Sequence, residues 1–210
     1  MKTLNVQFVG DLKSHDSWEA QFQDLPLQSI QEVSWSSYPY RPQVGFKIGY
    51  GDKHIYLQFH VKEKHLKAVY REINEPVYKD SCVEFFLSFD GKAYYNMEFN
   101  SLGTALVGYG ESRESREYLP ADLIQKIQTH SVINPVKPGE EEVSWKLQIQ
   151  IPFELFFADS PLRLQGRTCY ANFYKCGDDL PEPHYVSWNK IEAPEPDFHR
   201  PEYFGEIRFA

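Results

Sequence analysis

The sequence predicts an all-β fold, a single sandwich of two antiparallel sheets with a few short helices. Three observations carry that expectation. Apolar residues alternate with polar ones along several stretches, the period-two pattern of half-buried antiparallel strands. Turn signals separate the stretches: Tyr50-Gly-Asp-Lys53, Asp90-Gly91 and Lys137-Pro-Gly139. Helical patterns are short and few. Many short strands in 210 residues suit one domain spanning 1–210, of the jelly-roll or immunoglobulin-like kind.

In chain order, Leu4, Val6 and Phe8 open the alternation, and a short helix follows near Asp16–Phe22, with Trp18 on its buried face. Val44, Phe46 and Ile48 mark a strand, as do Ile55, Leu57, Phe59 and Val61. Val83, Phe85, Leu87 and Phe89 form another set. The cleanest is Val143, Trp145, Leu147, Ile149 and Ile151, which places Trp145 in the core. Further strands are expected near 29–34, 66–70, 103–109, 127–133, 168–175 and 204–209, about ten to twelve in all. Short helices are expected at Pro120–Ile127 and Phe153–Phe157. The loop from Gly177 to Pro201 carries five prolines and several aromatics, unusual for a mere connection.

Composition narrows the function classes. Fifteen Phe, 14 Tyr and 4 Trp exclude a disordered chain. A formal net charge of -8 argues against a nucleic-acid partner, which needs a basic patch. No apolar run approaches the roughly 20 residues of a membrane span. Polar residues interrupt the first ten positions, so they do not form a signal peptide's apolar stretch. A cytoplasmic or processed mature protein, acting as a monomer, is the expectation. Cys82, Cys169 and Cys176 are too few and of odd number for a disulfide framework, and no Cys-x-x-Cys or His-x-x-x-His spacing supports zinc.

One hairpin can be registered from sequence alone. The apolar sets Val83, Phe85, Leu87, Phe89 and Tyr95, Met97, Phe99 flank Asp90-Gly91. Both sets must face one core, and a slip of one residue would turn one of them outward. A three-residue loop, Asp90-Gly91-Lys92, satisfies this and places Glu84 opposite Glu98, Phe86 opposite Asn96 and Cys82 opposite Asn100. The other face then gathers Glu84, Phe86, Ser88, Tyr94, Asn96, Glu98 and Asn100. A solvated sheet face is the plain reading. Directly opposed like charges destabilise a sheet pair, however. Carboxylates and amides beside aromatics suit a ligand with many hydroxyls and an apolar ring face. Tyr170, Asn172 and Tyr174 could extend that face. His54 and His60 read as solvated residues, and Glu111 to Glu117 as a solvated loop.

Tyr78-Lys-Asp-Ser-Cys-Val-Glu-Phe-Phe86, Tyr94-Tyr-Asn-Met-Glu-Phe-Asn-Ser-Leu-Gly103 and Phe198-His-Arg-Pro-Glu-Tyr-Phe-Gly205 resemble the family 9 carbohydrate-binding modules. The nearest likeness is the Bacteroidetes endo-1,4-β-xylanase-like branch, within the DOMON-like superfamily. Trp35, Tyr38-Pro-Tyr-Arg-Pro42 and Val186-Ser-Trp188 agree with it, and the likeness covers nearly the whole chain. The resemblance implies non-catalytic binding of the end of an oligosaccharide or polysaccharide, accessory to polysaccharide breakdown. It places the two aromatic walls at Tyr78 and Phe198, with Glu84, Asn96, Glu98 and His199 as polar partners. The family's better-known modules have tryptophans where this chain has Tyr78 and Phe198, and an arginine where it has Asn96. Structural calcium is also implied, with Asp52, Asp90, Asp178 and Asp179 as candidate ligands. Two other readings stand beside this one. Glu84 and Glu98 have the spacing of a retaining glycosidase's carboxyl pair. DOMON relatives bind haem, but the register points Met97 into the core and no Cys-x-x-Cys-His occurs.

Overall fold

The computed structural model describes residues 1–12, 15–136, 138–139 and 141–210. Lys137, part of one expected turn, lies outside the described residues. The strands are β1 (Thr3–Phe8), β2 (Gln28–Ile30), β3 (Glu32–Val33), β4 (Gln43–Tyr50), β5 (His54–Glu63), β6 (Cys82–Ser88) and β7 (Tyr94–Asn100). They continue with β8 (Ala105–Gly110), β9 (Glu117–Tyr118), β10 (Gln128–Asn134), β11 (Val143–Pro152), β12 (Thr168–Cys176), β13 (Tyr185–Ser187) and β14 (Gly205–Phe209). Two short α-helices are described, α1 (His15–Gln23) and α2 (Ala121–Ile124). The stretch 153–157 forms short 3-10 turns instead of an α-helix.

The expected sandwich of two separate antiparallel sheets is incorrect. All fourteen strands join one hydrogen-bonded sheet, curled into a half-barrel, in the order β10-β11-β5-β4-β1-β14-β12-β6-β7-β8-β9. Strand β1 makes the connection. Its first half, Thr3 to Val6, runs parallel to β14, and Gln7 and Phe8 then run parallel to β4. Period-two alternation reports which face a side chain takes, not which strand lies at the edge. The patterns of β1, β4 and β14 therefore could not reveal that β1 bridges them. The transfer also explains Phe8. It continues the alternation of Leu4 and Val6 but is exposed, with its ring edge against Tyr50.

The concave side of the curl holds the main core. Phe46 of β4 stacks on Phe173 of β12 with ring centroids 3.6 Å apart, and Phe85 of β6 stacks on the same ring at 4.9 Å. Trp145, Leu147, Ile149 and Ile151 of β11 enter this core as their alternation predicts. Helix α1 covers part of the opposite face, setting Trp18 and Phe22 on Tyr56. Segment 66–70 is not a strand. It is held instead by Asp80, whose Oδ2 accepts from the backbone N–H groups of Val69 and Tyr70.

The registered hairpin is as expected: Glu84 pairs with Glu98, Phe86 with Asn96 and Cys82 with Asn100. The ladder stops at Leu87 and Tyr95, so the connection is longer than three residues. Ser88 Oγ accepts from Gly91 N–H and donates to the Ala93 carbonyl, while Gly91 takes the positive φ that the turn needs. The reading of the other face as open is incorrect, since every residue of β6 and β7 is buried. A second cluster, including Trp35, Phe86, Tyr94, Tyr174, Phe198 and Phe204, covers that face. Its cover comes from chain segments with no periodic pattern, chiefly the Pro-rich stretch after β12.

That stretch is pinned at many points. Trp35 Nε1 donates to the Ala193 carbonyl, Tyr174 Oη to that of Phe198, and Asn189 Nδ2 to that of Tyr203. Below it, Lys175 and Glu63 form an ion pair at 2.9 Å with both side chains fully buried. The Lys175 ammonium also donates to the Cys176 carbonyl and to His184 Nε2, and Trp145 Nε1 donates to Glu63 Oε1 at 2.7 Å. Each charge thus meets partners, which is the condition for carrying it inside.

Candidate functional site

A narrow slot opens where the Pro-rich stretch crosses the β6–β7 face. Its lining includes Tyr78, Glu84, Glu98, Cys176, Asp178, Tyr185, Asp197, Phe198 and His199, with Arg113 and Arg116 at its side. It encloses about 90 Å³. The short turn Val77–Lys79 presents Tyr78, and it is tied to the end of β12 because Asp178 N–H donates to the Tyr78 carbonyl. Asp80 anchors the same turn through Asn100, whose Nδ2 donates to Asp80 Oδ2 at 3.1 Å.

Five of the six expected residues, Tyr78, Glu84, Glu98, Phe198 and His199, therefore line one slot. Asn96 lies one layer beneath, fully buried, with Nδ2 donating to Glu98 Oε1 at 3.0 Å. It positions Glu98 and does not meet the slot itself. Gly108 leaves it room, since a Cβ there would sit 2.6 Å from Asn96 Oδ1. Phe198 is more buried than a free wall would be. One face stacks on Tyr174 at 4.1 Å, nearly parallel, and Trp35 packs 6.1 Å away. Tyr78 is half-buried.

The electrostatics follow from burial. Desolvation, then the charge of Glu98, pushes the Glu84 carboxyl well above the usual range. Burial also pushes Glu98 up, to about 7, although Arg116 and the Asn96 hydrogen bond oppose it. The pair therefore holds a proton near neutrality, so one carboxyl can donate while the other accepts. Asp178 is raised to about 6 by burial and by Asp179. His199 is lowered to about 2 by burial and by Arg116 and Arg113. It is a neutral imidazole whose Nε2 accepts from Arg116 at 2.6 Å, leaving Nδ1–H to donate to Tyr94 Oη at 3.0 Å.

Sequence reasoning missed several lining residues. Arg113 and Arg116 read as part of a solvated loop, yet β8 lies beside β7 and brings the β8–β9 connection over the slot. Two arginines in a loop next to a strand carrying an inward glutamate were the available signal. Cys176 carried no site signal in the sequence, but its thiol donates to Glu84 Oε1 at 3.0 Å. Tyr174 belongs to the second cluster, and the row Tyr170, Asn172, Tyr174 is not an open face. His60 lines a larger groove of about 910 Å³ across β4, β5 and β11. Lys62 and Lys146 of that groove are already paired with Glu142 and Glu19, and among the described residues no pair of aromatic side chains lines it.

Calcium takes six to eight oxygens, and of its four candidate ligands only Asp178 lines the slot. Asp52, Asp90 and Asp179 are exposed, and Asp90 Oδ1 is used within its own turn. Asp179 faces Lys67 and Lys79. Among the described residues, one group could hold a metal ion, Cys82, Glu84 and Cys176, with ligand atoms all within 4.8 Å of one another.

Fold and slot together define a binding module: a rigid sheet face roofed by a pinned segment, with aromatics around hydrogen-bonding groups. Residues 18–209 match the family model for carbohydrate-binding family 9, and the chain belongs to that family. Its function is non-catalytic carbohydrate binding. A Bacteroides uniformis protein described as carbohydrate-binding shares 35% identity over 100% of this chain and 99% of its own, with a TM-score of 0.91. Family 9 modules of Caldicellulosiruptor kristjanssonii, solved with glucose and with cellotriose, share the fold. Their identities are 16% and 15%, and their TM-scores 0.63 and 0.65. The coverage is 100% and 99% of this chain, against 96% and 93% of theirs. An extracellular protein of Arthroderma benhamiae is 25% identical over 80% of this chain and 79% of its own length.

Proposed function

We propose that the slot holds the end of a β-glycan, with Tyr78 and Phe198 against the apolar faces of the terminal sugar and Glu84 and Glu98 bonded to its hydroxyls. The observation that carries this reading is the convergence of Tyr78, Glu84, Glu98, Phe198 and His199 on one slot. A pyranose ring has apolar C–H faces and a polar rim, so flat aromatics cover the faces while carboxyl groups read the rim. A space of about 90 Å³ suits part of one terminal ring and not a buried chain. Asn96 acts by orienting Glu98, and His199 by holding Arg116 at the mouth.

Gluco-oligosaccharides are the first ligands to try, because the Caldicellulosiruptor modules were solved with glucose and cellotriose. Xylo-oligosaccharides come next. We read the chain as a member of the Bacteroidetes endo-1,4-β-xylanase-like branch with a role accessory to polysaccharide breakdown; the 35% identical relative from Bacteroides uniformis, described as carbohydrate-binding, supports the binding part of that reading. Affinity should be modest, micromolar to millimolar, about 4–8 kcal/mol, because sugar hydroxyls give up good water partners. The test is a glycan array followed by titration of oligosaccharides with free and with blocked ends. Binding that requires a free end supports the reading. Equal binding of blocked chains sinks it.

A further inference from the structure

We propose that the floor of the slot is a binding site for a thiophilic d10 cation of the zinc group, held by Cys82, Glu84 and Cys176. Three strand relationships bring these donors together. Cys82 and Cys176 are direct partners across β6 and β12. Glu84 stands two residues beyond Cys82 and therefore on the same face. Its partner across β12 is Tyr174, which keeps it beside Cys176. All three residues are buried, at 3% exposure or less.

A packing role alone would leave two small thiols among apolar side chains. The surroundings here are different. Cys176 and Glu84 line the slot, so an ion can reach them from solvent. Glu98 is 2% exposed, lies opposite Glu84 and has a buried Oε2 with no hydrogen-bond partner among the described residues. That oxygen lies outside the group and can accept from a water in the slot, which takes the fourth ligand place. Two sulfurs with carboxylate oxygen are a soft, low-number set, suited to tetrahedral zinc and unsuited to calcium. On binding, both S–H bonds break and the carboxyl proton shared by Glu84 and Glu98 is released, two metal–sulfur bonds and one metal–oxygen bond form, and the protons leave through the slot. Arg113 and Arg116 at its side offset the remaining negative charge. An ion there occupies the carboxyl group that the proposed sugar site also uses, so ion and glycan end should compete.

The experiment titrates Cd2+ and Co2+ into the reduced, chelator-treated full chain with no sugar present. The near-ultraviolet thiolate-to-metal absorption is followed. Saturation at one ion per chain, with an intensity that reports two thiolates, is the expected result. Cys82→Ser and Cys176→Ser should lose the band, and Cys169→Ser, whose thiol is buried elsewhere, should keep it. A folded wild type with no thiolate band, or with a band from a single thiolate, overturns the proposal even if the serine variants do not fold. So does a band that survives in Cys176→Ser or disappears in Cys169→Ser. A second titration, oligosaccharide into metal-loaded protein, should show a loss of affinity relative to the metal-free chain. The metal readout needs no sugar, so failure of the glycan reading and failure of the metal site give different results.

Discussion

Glu84 and Glu98 are direct cross-strand partners, buried at 3% and 2% exposure, with a thiol donating to one and an amide to the other. Two carboxyl groups so placed cannot both ionise at ordinary cost, and the folded chain retains a proton there. The sign of the effect on stability follows. Glu98 has a folded value of about 7 against an ordinary 4.5, so it stabilises fully below about pH 4.5. That contribution is lost as pH rises through about 7. Glu98→Gln should therefore raise Tm relative to wild type at pH 8 and change it little or lower it at pH 4.5. Calorimetric scans at the two pH values read the difference, and an equal shift at both would contradict it.

The histidines act in the opposite direction. His184 is buried and neutral, lowered to about 3 by burial and by Lys175. Its unfolded form takes a proton below about pH 6.5 while the folded form does not. Stability from this source is present above pH 6.5 and lost as pH falls towards 3. His184→Gln should flatten that acid limb in urea titrations across the interval. An unchanged slope would show that His184 is protonated in the fold.

Phe85 is fully buried and stacks on Phe173, which stacks in turn on Phe46. Phe85→Ala should cost about 3–5 kcal/mol in chemical unfolding. A cost below about 1 kcal/mol would mean that the hairpin register is wrong.

Lys175 and Glu63 are buried together, so removing one leaves the other charge without its partner. Lys175→Met should cost about 3–5 kcal/mol, and adding Glu63→Gln should recover part of it. A double-mutant cycle on denaturant midpoints measures the coupling. Additive losses would argue that the two groups act independently.

How far sequence carried the account varies with the element. The pairing of Glu84 with Glu98 was legible because side-chain period fixes strand parity, and a slip would have exposed Phe85 or Met97. The bridging role of β1 was not, because hydrogen-bond partners at a strand edge leave no mark in alternation. The burial of Glu84 was likewise hidden, since its cover comes from residues after Gly177, far along the chain and without period. Cys82 and Cys176 became neighbours only through the β6–β12 ladder, a pairing no local pattern states. The aromatic positions Tyr78 and Phe198 came from family likeness. Composition alone would not have separated Phe198 from the other phenylalanines, and its stacking on Tyr174 makes it part wall and part core.

That double role decides which substitutions test the slot cleanly. Phe198→Ala would open a cavity against Tyr174 and Trp35, lowering stability together with any binding. Tyr78 is half-buried and lines the same slot, and Glu84→Gln keeps the shape of the floor. The most direct measurement is isothermal titration of cello- and xylo-oligosaccharides into wild type, Tyr78→Ala and Glu84→Gln, each first shown to be folded. The expected result is one site per wild-type chain, with affinity lowered by about 1–2 kcal/mol in Glu84→Gln and by a comparable loss of stacking in Tyr78→Ala. Wild-type binding that neither substitution changes would place the sugar elsewhere on the protein and contradict the account.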